Sequence, residues 1–413
     1  MADALISALA VMDPARCEAS APAGRVVLKR GREGPVRGGS PWVFSQAIER
    51  VEPADLNPGS AVGLFSADGS PLSYGYYNPS TTIAVRILEW GVAAEPEELI
   101  ERRLSGALEL RRRSVRGDTN CYRLVNGDGD GLSGVVVDRY ADVLVMQLLT
   151  AGAERMRDRI IAGLERILKP RSLIERSQGA VRREEGLDDR VGLASGEPIT
   201  ELVVIENGRK IGVDVARGQK TGYFLDQREN RVLFGAIAAG ARVLDAYCYS
   251  GGFALAAIKG GASHVTAIDS SEKALGWAQR NLELNGYSAA PVELVRDDAT
   301  KYLANTSARF DLIVLDPPPL ARSRKDAGRA ERLYLELNAL ALKALAPNGR
   351  LMTFSCSVHV RGEDFIRAVR FAQARAARPM RILAHLGAGP DHPVLLGHAE
   401  GEYLTGLLLA ALD

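Results

Sequence analysis

The chain has 413 residues, 25% of them charged and 46% hydrophobic, with a formal net charge of +1. That length exceeds one ordinary core and implies about two or three domains, while the balanced charge does not point to a basic arm and leaves local clusters to be weighed by position. Four cysteines, Cys17, Cys121, Cys248 and Cys356, lie far apart without zinc spacing, so no metal is expected and a reduced cytoplasm is the natural compartment.

The start, MADALISALAVMDPARC, has an acid at Asp3, no basic leader region and a brief apolar run, and no later stretch approaches a membrane span; no membrane contact is expected. Residues 1–22 are Ala-rich with little periodicity and read as a mobile extension. From Gly24, short β-rich runs between Gly, Pro, Asn and Asp turns predict a small β-barrel over 23–92, ending near Trp90. There Lys29, Arg30, Arg32 and Arg37 lie beside Trp42 and Phe44, a mixture suited to phosphate contact and base stacking and so a candidate RNA-binding surface. The plainer reading is a solvated loop on a barrel with Trp42 in its core.

Residues 96–116 predict a helix with Leu99, Leu104, Leu108 and Leu110 to one side and acids before arginines, as the helix dipole favours. Arg111, Arg112, Arg113 and Arg116 either extend the basic surface or are merely solvated. Residues 122–150 read as strands around Gly/Asp turns; GDGDG lacks the Glu that would close a calcium loop after Asp128, so a turn is expected. A helix over 153–169, the strand SLIERS and the charged loop GAVRREEG complete a small α+β module over 93–205, ending near Leu202 before a strand at 210–215.

The stretch 242–269, RVLDAYCYSGGFALAAIKGGASHVTAID, reads as a buried strand, a turn through Ser250, Gly251 and Gly252, a helix over 253–258 and a second strand closed by Asp269. A ligand of such a βαβ unit sits at the strand C-termini, where an acid closing the second strand accepts hydrogen bonds from ribose hydroxyls. The dinucleotide spacing GxGxxG is missing, so an adenosine-containing ligand without a pyrophosphate fits better. Just upstream, Asp226, Gln227 and Arg228 cluster at a helix start, either touching the ligand's polar end or forming a capped, solvated helix terminus.

The α/β alternation then continues. SSEKALGWAQRNLELNG is an amphipathic helix capped by Ser270 or Ser271 and stopped at Gly286. VELVRDDA, a helix at 300–305 and FDLIVLDPPP follow, the last a strand ending on Asp316. A helix over 329–346 breaks at Pro347-Asn348-Gly349, and the fifth strand, RLMTFSCS, ends on Cys356. A helix over 364–376, a strand around Ile382 and the closing strand YLTGLLLAAL predict a reversed hairpin at the sheet edge.

Asp245, Asp269, Asp298 and Asp316 thus end successive strands or lie just beyond them. One Asp after a strand is usually a turn former, but four on one rim of a parallel sheet mark a ligand site by position. A Cys at a strand end is more often inert core. Cys356, however, closes the strand next to that of Asp316, where a thiol can attack an electrophilic carbon once a neighbour draws off its proton. Cys248 reads as structural, and His359 as a bystander more often than an activator of the thiol.

In this order, DAYCYSGGF, the Asp269 strand end, RDDA, LDPPP and TFSCS resemble the class I S-adenosylmethionine-dependent RNA methyltransferases, and among them the bacterial 23S rRNA cytosine-C5 methyltransferases with an N-terminal PUA domain. The likeness extends through PWVFS, GDGDGLSGVVVDRY and KTGYFLDQREN upstream and DHPV and EGEYLTG downstream. It implies an α/β Rossmann-like class I methyltransferase domain over 206–413, a mixed seven-stranded sheet with a reversed last strand, preceded by a PUA-like β-barrel and a small α+β middle domain. S-adenosyl-L-methionine is the implied cofactor. The resemblance places Ser250, Gly251 and Gly252 beneath its methionine part, Asp269 at the ribose, Asp298 at the adenine amino group and Asp316 where cofactor and target base meet; by their positions in the chain, Asp245, Gln227 and Arg228 are expected in the same cofactor site. Cys356 matches the nucleophile that adds to C6 of the base, and Asp316 is the candidate base for the C5 proton.

The implied partner is structured ribosomal RNA with a flipped-out target base; monomer or homodimer stays open. The nearest rival, the uridine-C5 class, tends to follow its cysteine with Asn-Pro, whereas Ser357-Val358 follows here. An amino-group methyltransferase of the DPPY type would need an aromatic residue where Pro319 stands, and a non-catalytic RNA-binding module would leave the acids and the cysteine without a role.

Overall fold

Alternating apolar residues between Gly and Asp turns build the first sheet of the computed structural model, which describes residues 22–91, 96–321, 324–357, 359–360 and 362–413. The expected N-terminal extension, up to residue 21, lies outside these residues. Strands β1 (Gly24–Leu28), β2 (Trp42–Phe44), β3 (Ile48–Glu52), β4 (Ser60–Phe65), β5 (Pro71–Tyr77) and β6 (Ile83–Trp90) pair in the order β2-β6-β5-β4-β1-β3. Their inner face buries Val26, Leu28, Val62, Leu64, Val85 and Ile87.

The helix Pro96–Ser114 follows, with Leu99, Leu104 and Leu108 buried. Two expectations fail on it. Leu110 is 40% exposed and Arg111 only 1% exposed, because 100° per residue carries position 110 away from the buried stripe and returns 111 to it. Arg111 therefore does not extend the basic surface; it donates to Asp130 Oδ2 at 2.7 Å and to the Asp391 carbonyl at 2.8 Å.

The middle sheet consists of β7 (Cys121–Asn126), β8 (Val135–Tyr140), β9 (Val143–Leu148), β10 (Ser172–Ser177) and β11 (Arg190–Gly196), ordered β11-β10-β9-β8-β7. GDGDG forms a single 3₁₀ turn, Gly127–Asp130. The expected helix over 153–169 is two, Ala151–Arg155 and Arg157–Leu168, meeting at Met156. GAVRREEG, expected as a charged loop, is partly helical. It holds the short helix Ala180–Glu184, and Arg182 is buried where it donates to the Leu148 carbonyl (2.7 Å) and Glu154 (2.8 Å). Next to it, the buried Glu185 carboxylate accepts from Asn78 (2.8 Å), Arg86 (3.1 Å) and the Ala151 amide (3.2 Å), joining the first sheet to the second.

A hairpin of β12 (Glu201–Glu206) and β13 (Arg209–Asp214) crosses the expected domain division at 205/206. Its turn is Asn207-Gly208, both at positive φ (49° and 67°), the two-residue turn that matches strand twist.

The C-terminal sheet contains β14 (Arg242–Ala246), β15 (His264–Asp269), β16 (Val292–Arg296), β17 (Phe310–Leu315), β18 (Leu345–Ser355), β19 (Met380–Leu386) and β20 (Thr405–Ala411), in the order β16-β15-β14-β17-β18-β20-β19. The first five run parallel, and β20 lies antiparallel between β18 and β19. The expected reversed hairpin thus places its second strand inside the sheet and its first at the edge. Both faces of the central strands are covered: in β17, Leu312 and Val314 enter one core, Ile313 and Leu315 the other. Strand order reverses between β14 and β17, so their C-terminal ends open a crevice.

Replacing Glu185 by Ala leaves the buried Arg86 without its acid. The variant should lose about 3–5 kcal/mol of unfolding free energy, measured by urea denaturation.

Candidate active site

Beyond β14 the chain turns through Tyr247 (φ 67°), Tyr249 (φ 47°) and Gly251 (φ 77°) before the helix Gly252–Lys259. Left-handed backbone at two tyrosines costs about 1–2 kcal/mol each. Local bonds impose it: Tyr249 N donates to Asp269 Oδ2 (3.0 Å), Cys248 N to the Ile268 carbonyl (2.9 Å), Asn281 Nδ2 to the Ser250 carbonyl (2.9 Å) and Ala254 N to Asp245 Oδ2 (2.9 Å). At Gly251 a side chain would meet Ala278 at 3.0 Å, and at Gly252 the Tyr223 hydroxyl at 2.5 Å.

Asp269, at the end of β15, also accepts from Ser271 N (2.9 Å), so both its oxygens are held in place. Asp298 stands at the rim, exposed, capping the helix Ala299–Asn305 by accepting from Lys301 N at 2.9 Å and facing Tyr247. Under the turn, Asp245 Oδ1, Ser250 Oγ and Tyr223 Oη are buried with no hydrogen-bond partner among the described residues. Burial pushes the Asp245 carboxyl up to about 7, with Asp316 and Asp269 adding to the shift.

At the other side of the strand reversal, Asp316 follows β17 and Cys356 follows β18, both half-buried. The Cys356 thiol donates to the Pro317 carbonyl at 3.4 Å, and its flanks are fixed: Ser355 Oγ donates to the Val360 carbonyl (2.6 Å) and accepts from Ser357 N (3.3 Å). Burial pushes the thiol up to about 12, helped by Asp316 and Asp226 and opposed by Lys220. Asp316 is raised to about 7, first by burial and then by Asp226, while Lys220 and Gln227 act against the shift. Asp226, buried, accepts from Lys220 Nζ (2.5 Å) and Tyr403 Oη (2.7 Å), which hold it well below the usual carboxylate range against the burial that opposes ionisation.

The structure therefore brings Asp316 into interaction with both Gln227 and Cys356 and places Asp245, Ser250, Gly251, Gly252 and Asp269 in and around the glycine turn. Arg228 is corrected. It is fully buried where a solvated helix start was the alternative, and its guanidinium donates to Asp391 (2.9 Å) and Glu229 (3.1 Å) while Nη2 is left without a partner among the described residues. Trp42 is corrected too: its indole donates to Asp128 Oδ2 (3.1 Å) and meets the His398 ring edge-on at 4.4 Å, so it is a packing residue and no stacking platform. Lys29, Arg30, Arg32 and Arg37 are exposed, as is His359. Lys220 and Tyr403 were not singled out from sequence, although both lie in stretches, KTGYFLDQREN and EGEYLTG, that carry the resemblance.

Residues 160–401 match the family described as S-adenosylmethionine-dependent methyltransferase, and residues 26–90 a PUA-like domain. The ribosomal RNA large subunit methyltransferase I of Aeromonas hydrophila is 41% identical over 397 residues, covering 94% of this chain and 99% of the relative. The protein chain belongs to the S-adenosylmethionine-dependent methyltransferases. The same-named enzyme of Erwinia tasmaniensis is 37% identical, over 92% of this chain and 98% of its own. A Streptococcus mutans structure described as a candidate SAM-dependent methyltransferase shares the fold, with a TM-score of 0.79 at 21% identity over 94% of this chain and 99% of that one. The unpartnered polar atoms beneath the glycine turn fit the polar cofactor of this family. Among the described residues, no helix is long and apolar enough to cross a membrane.

An Asp whose folded pKa lies above its unfolded value binds protons on folding, so its ionisation lowers stability as pH rises from about 4 through 7. Asp245→Asn should accordingly raise the unfolding free energy of the cofactor-free protein by about 2–4 kcal/mol at pH 8, with the gain vanishing near pH 4, as read from thermal melts.

Proposed function

We propose that this chain methylates C5 of a cytosine in large-subunit ribosomal RNA in the cytoplasm, through a covalent bond between Cys356 and C6 of the base. The observation that carries this reading is a thiol and a carboxyl raised to about 7 at the C-terminal ends of adjacent strands, beside the glycine turn. Relatives named as ribosomal RNA large subunit methyltransferases support the substrate class.

In this reading Ser250, Gly251 and Gly252 lie beneath the methionine part of the cofactor, Asp245 completes the floor, Asp269 accepts from the ribose hydroxyls and Asp298 from the adenine amino group. Gln227 borders the target side beside Asp316. S-adenosylmethionine supplies a methyl group on a sulfonium, an electrophile that C5 of cytosine alone is too weak a nucleophile to use. Cys356 adds to C6 while its proton passes to N3, which leaves C5 an electron-rich enamine carbon. Once C5 carries the methyl group, the Asp316 carboxylate takes the C5 proton. The electrons of that bond restore C5=C6, the sulfur leaves, and N3 returns its proton to it. A carboxyl of pKa near 7 suits this step, being a stronger base than an ordinary carboxylate and still able to release its proton at neutral pH.

Cys356 is half-buried with its thiol against the Pro317 carbonyl, so in this reading the base must leave its stack to reach the thiol. The exposed Lys29, Arg30, Arg32 and Arg37 of the PUA-like domain are suited to holding the surrounding RNA by its phosphates.

Two measurements test this function. Incubation with large-subunit ribosomal RNA and labelled S-adenosylmethionine, followed by mass spectrometry of nucleosides, should give 5-methylcytidine; 5-methyluridine would select the uridine rival. Cys356→Ala should abolish transfer and keep cofactor binding, whereas full activity removes the covalent route. By calorimetry, Asp269→Ala should weaken cofactor binding by about tenfold or more, the loss of one or two hydrogen bonds to a charged acceptor.

A further inference from the structure

Between β19 and β20 the chain leaves the C-terminal sheet and is fastened at both ends beside the candidate active site. Asp391 accepts from Arg228 Nη1 (2.9 Å) and the Arg123 amide (3.0 Å), and Tyr403 donates to Asp226 (2.7 Å). The middle of this connection crosses to the other two sheets. The Pro393 carbonyl accepts from Asn126 Nδ2 at 3.0 Å, and the His398 ring packs against Trp42 of the PUA-like domain at 4.4 Å. Between these anchors a turn closes on the hydrogen bond from His398 N to the Leu395 carbonyl (2.9 Å). Gly397 lies so tightly on the backbone of Gly38 and Gly39 that a side chain there would overlap both.

Leu396 stands at the tip of that turn. It is 105% exposed, whereas Phe371, the next most exposed large apolar residue among those described, is 58% exposed. A turn anchored on both sides keeps the leucine from folding back, which leaves its burial to another molecule. The surroundings indicate the chemistry of that molecule. Gly38 and Gly39 directly follow the helix Gly34–Arg37, and the exposed cations of this stretch, Lys29, Arg30, Arg32 and Arg37, suit a phosphate backbone. Glu400, the acid nearest to the tip in sequence, is turned to His398 Nδ1 at 3.2 Å. An apolar tip beside a row of cations matches unpaired RNA, whose phosphates meet the cations while the face of an unstacked base meets the leucine.

We propose that Leu396 is an RNA-contacting residue: it packs against the face of an unpaired base of the substrate while Arg37 and its neighbours hold the adjoining phosphates. This goes beyond the cytosine reading and rests on its RNA substrate class. The C-terminal domain thereby adds a contact of its own to RNA docking, on the segment that runs from the PUA-like surface to the candidate active site.

The test separates an apolar contact from an ionic one. Full-length wild type, Leu396→Ser, Leu396→Phe and Arg37→Ala are titrated with fluorescently labelled large-subunit ribosomal RNA across a series of salt concentrations. Leu396→Ser should weaken binding about tenfold at every salt concentration, the contribution of one covered leucine, and leave the salt slope unchanged. Arg37→Ala should instead lower the slope by about one, the mark of a lost phosphate contact. Leu396→Phe should bind as the wild type or tighter, because an aromatic ring also stacks on a base. Thermal melts and S-adenosylmethionine binding of Leu396→Ser should match the wild type, as a merely structural role would not allow. Wild-type RNA affinity in Leu396→Ser, or an equal loss in Leu396→Phe, overturns the proposal. Unchanged affinity for naked RNA with weakened binding to large-subunit particles also overturns it and assigns the leucine to a ribosomal protein. If the wild type itself neither binds nor methylates ribosomal RNA, the RNA reading fails first, and the proposal with it.

Discussion

Helices cover both faces of the central strands β14 and β17, and this leaves polar chemistry one outlet. The apolar side chains along those strands enter one core or the other, so functional groups emerge where the strands stop. Asp245 is the penultimate residue of β14, Asp316 lies one residue beyond β17, Cys356 one residue beyond β18 and Asp269 at the end of β15. Parallel pairing brings these ends level, and the reversal of strand order between β14 and β17 supplies the gap in which two molecules can meet.

Gathering acids on one rim has an electrostatic cost, and the molecule distributes it unevenly. Asp245 and Asp316 retain their protons to near neutrality because water is excluded and other carboxylates are close. Asp226, buried like Asp245, stays ionised because an ammonium and a phenol are aimed at it. Two neighbouring carboxyl groups, Asp226 and Asp316, are thus driven to opposite protonation behaviour by their immediate partners. Environments that separate the pKa values of paired acids are how such sites divide their acid and base roles.

The sheet, its reversed strand, the glycine turn and the cysteine were legible because each has a local signature: a continuous apolar run, a Ser-Gly-Gly turn, a strand ending in an acid. What escaped was set by distant partners. Arg111, Arg182 and Arg228 look like solvated charges in sequence, yet each is buried against an acid or a carbonyl, most of them far along the chain, and no periodicity encodes such a match. Trp42 beside four basic residues suggested stacking until Asp128 and His398 claimed its ring. Strand β12 was missed despite a readable signal, the Asn207-Gly208 pair between two apolar runs. Lys220 carried no signal of its own, since a lysine between glycines looks like an ordinary loop residue.

The Trp42 ring has a wider meaning. It belongs to the first sheet, its nitrogen is bonded to Asp128 in the turn between two strands of the middle sheet, and it packs T-shaped with His398 of the C-terminal segment. Three parts of the chain are thereby pinned at one aromatic group, and the Glu185 cluster pins two of them again. A frame closed at two points works as a fixed gauge: in the proposed function, it sets the separation between the exposed basic residues and the thiol in advance. In the proposed reading, such a gauge would select span along a folded strand more than the reading of successive letters.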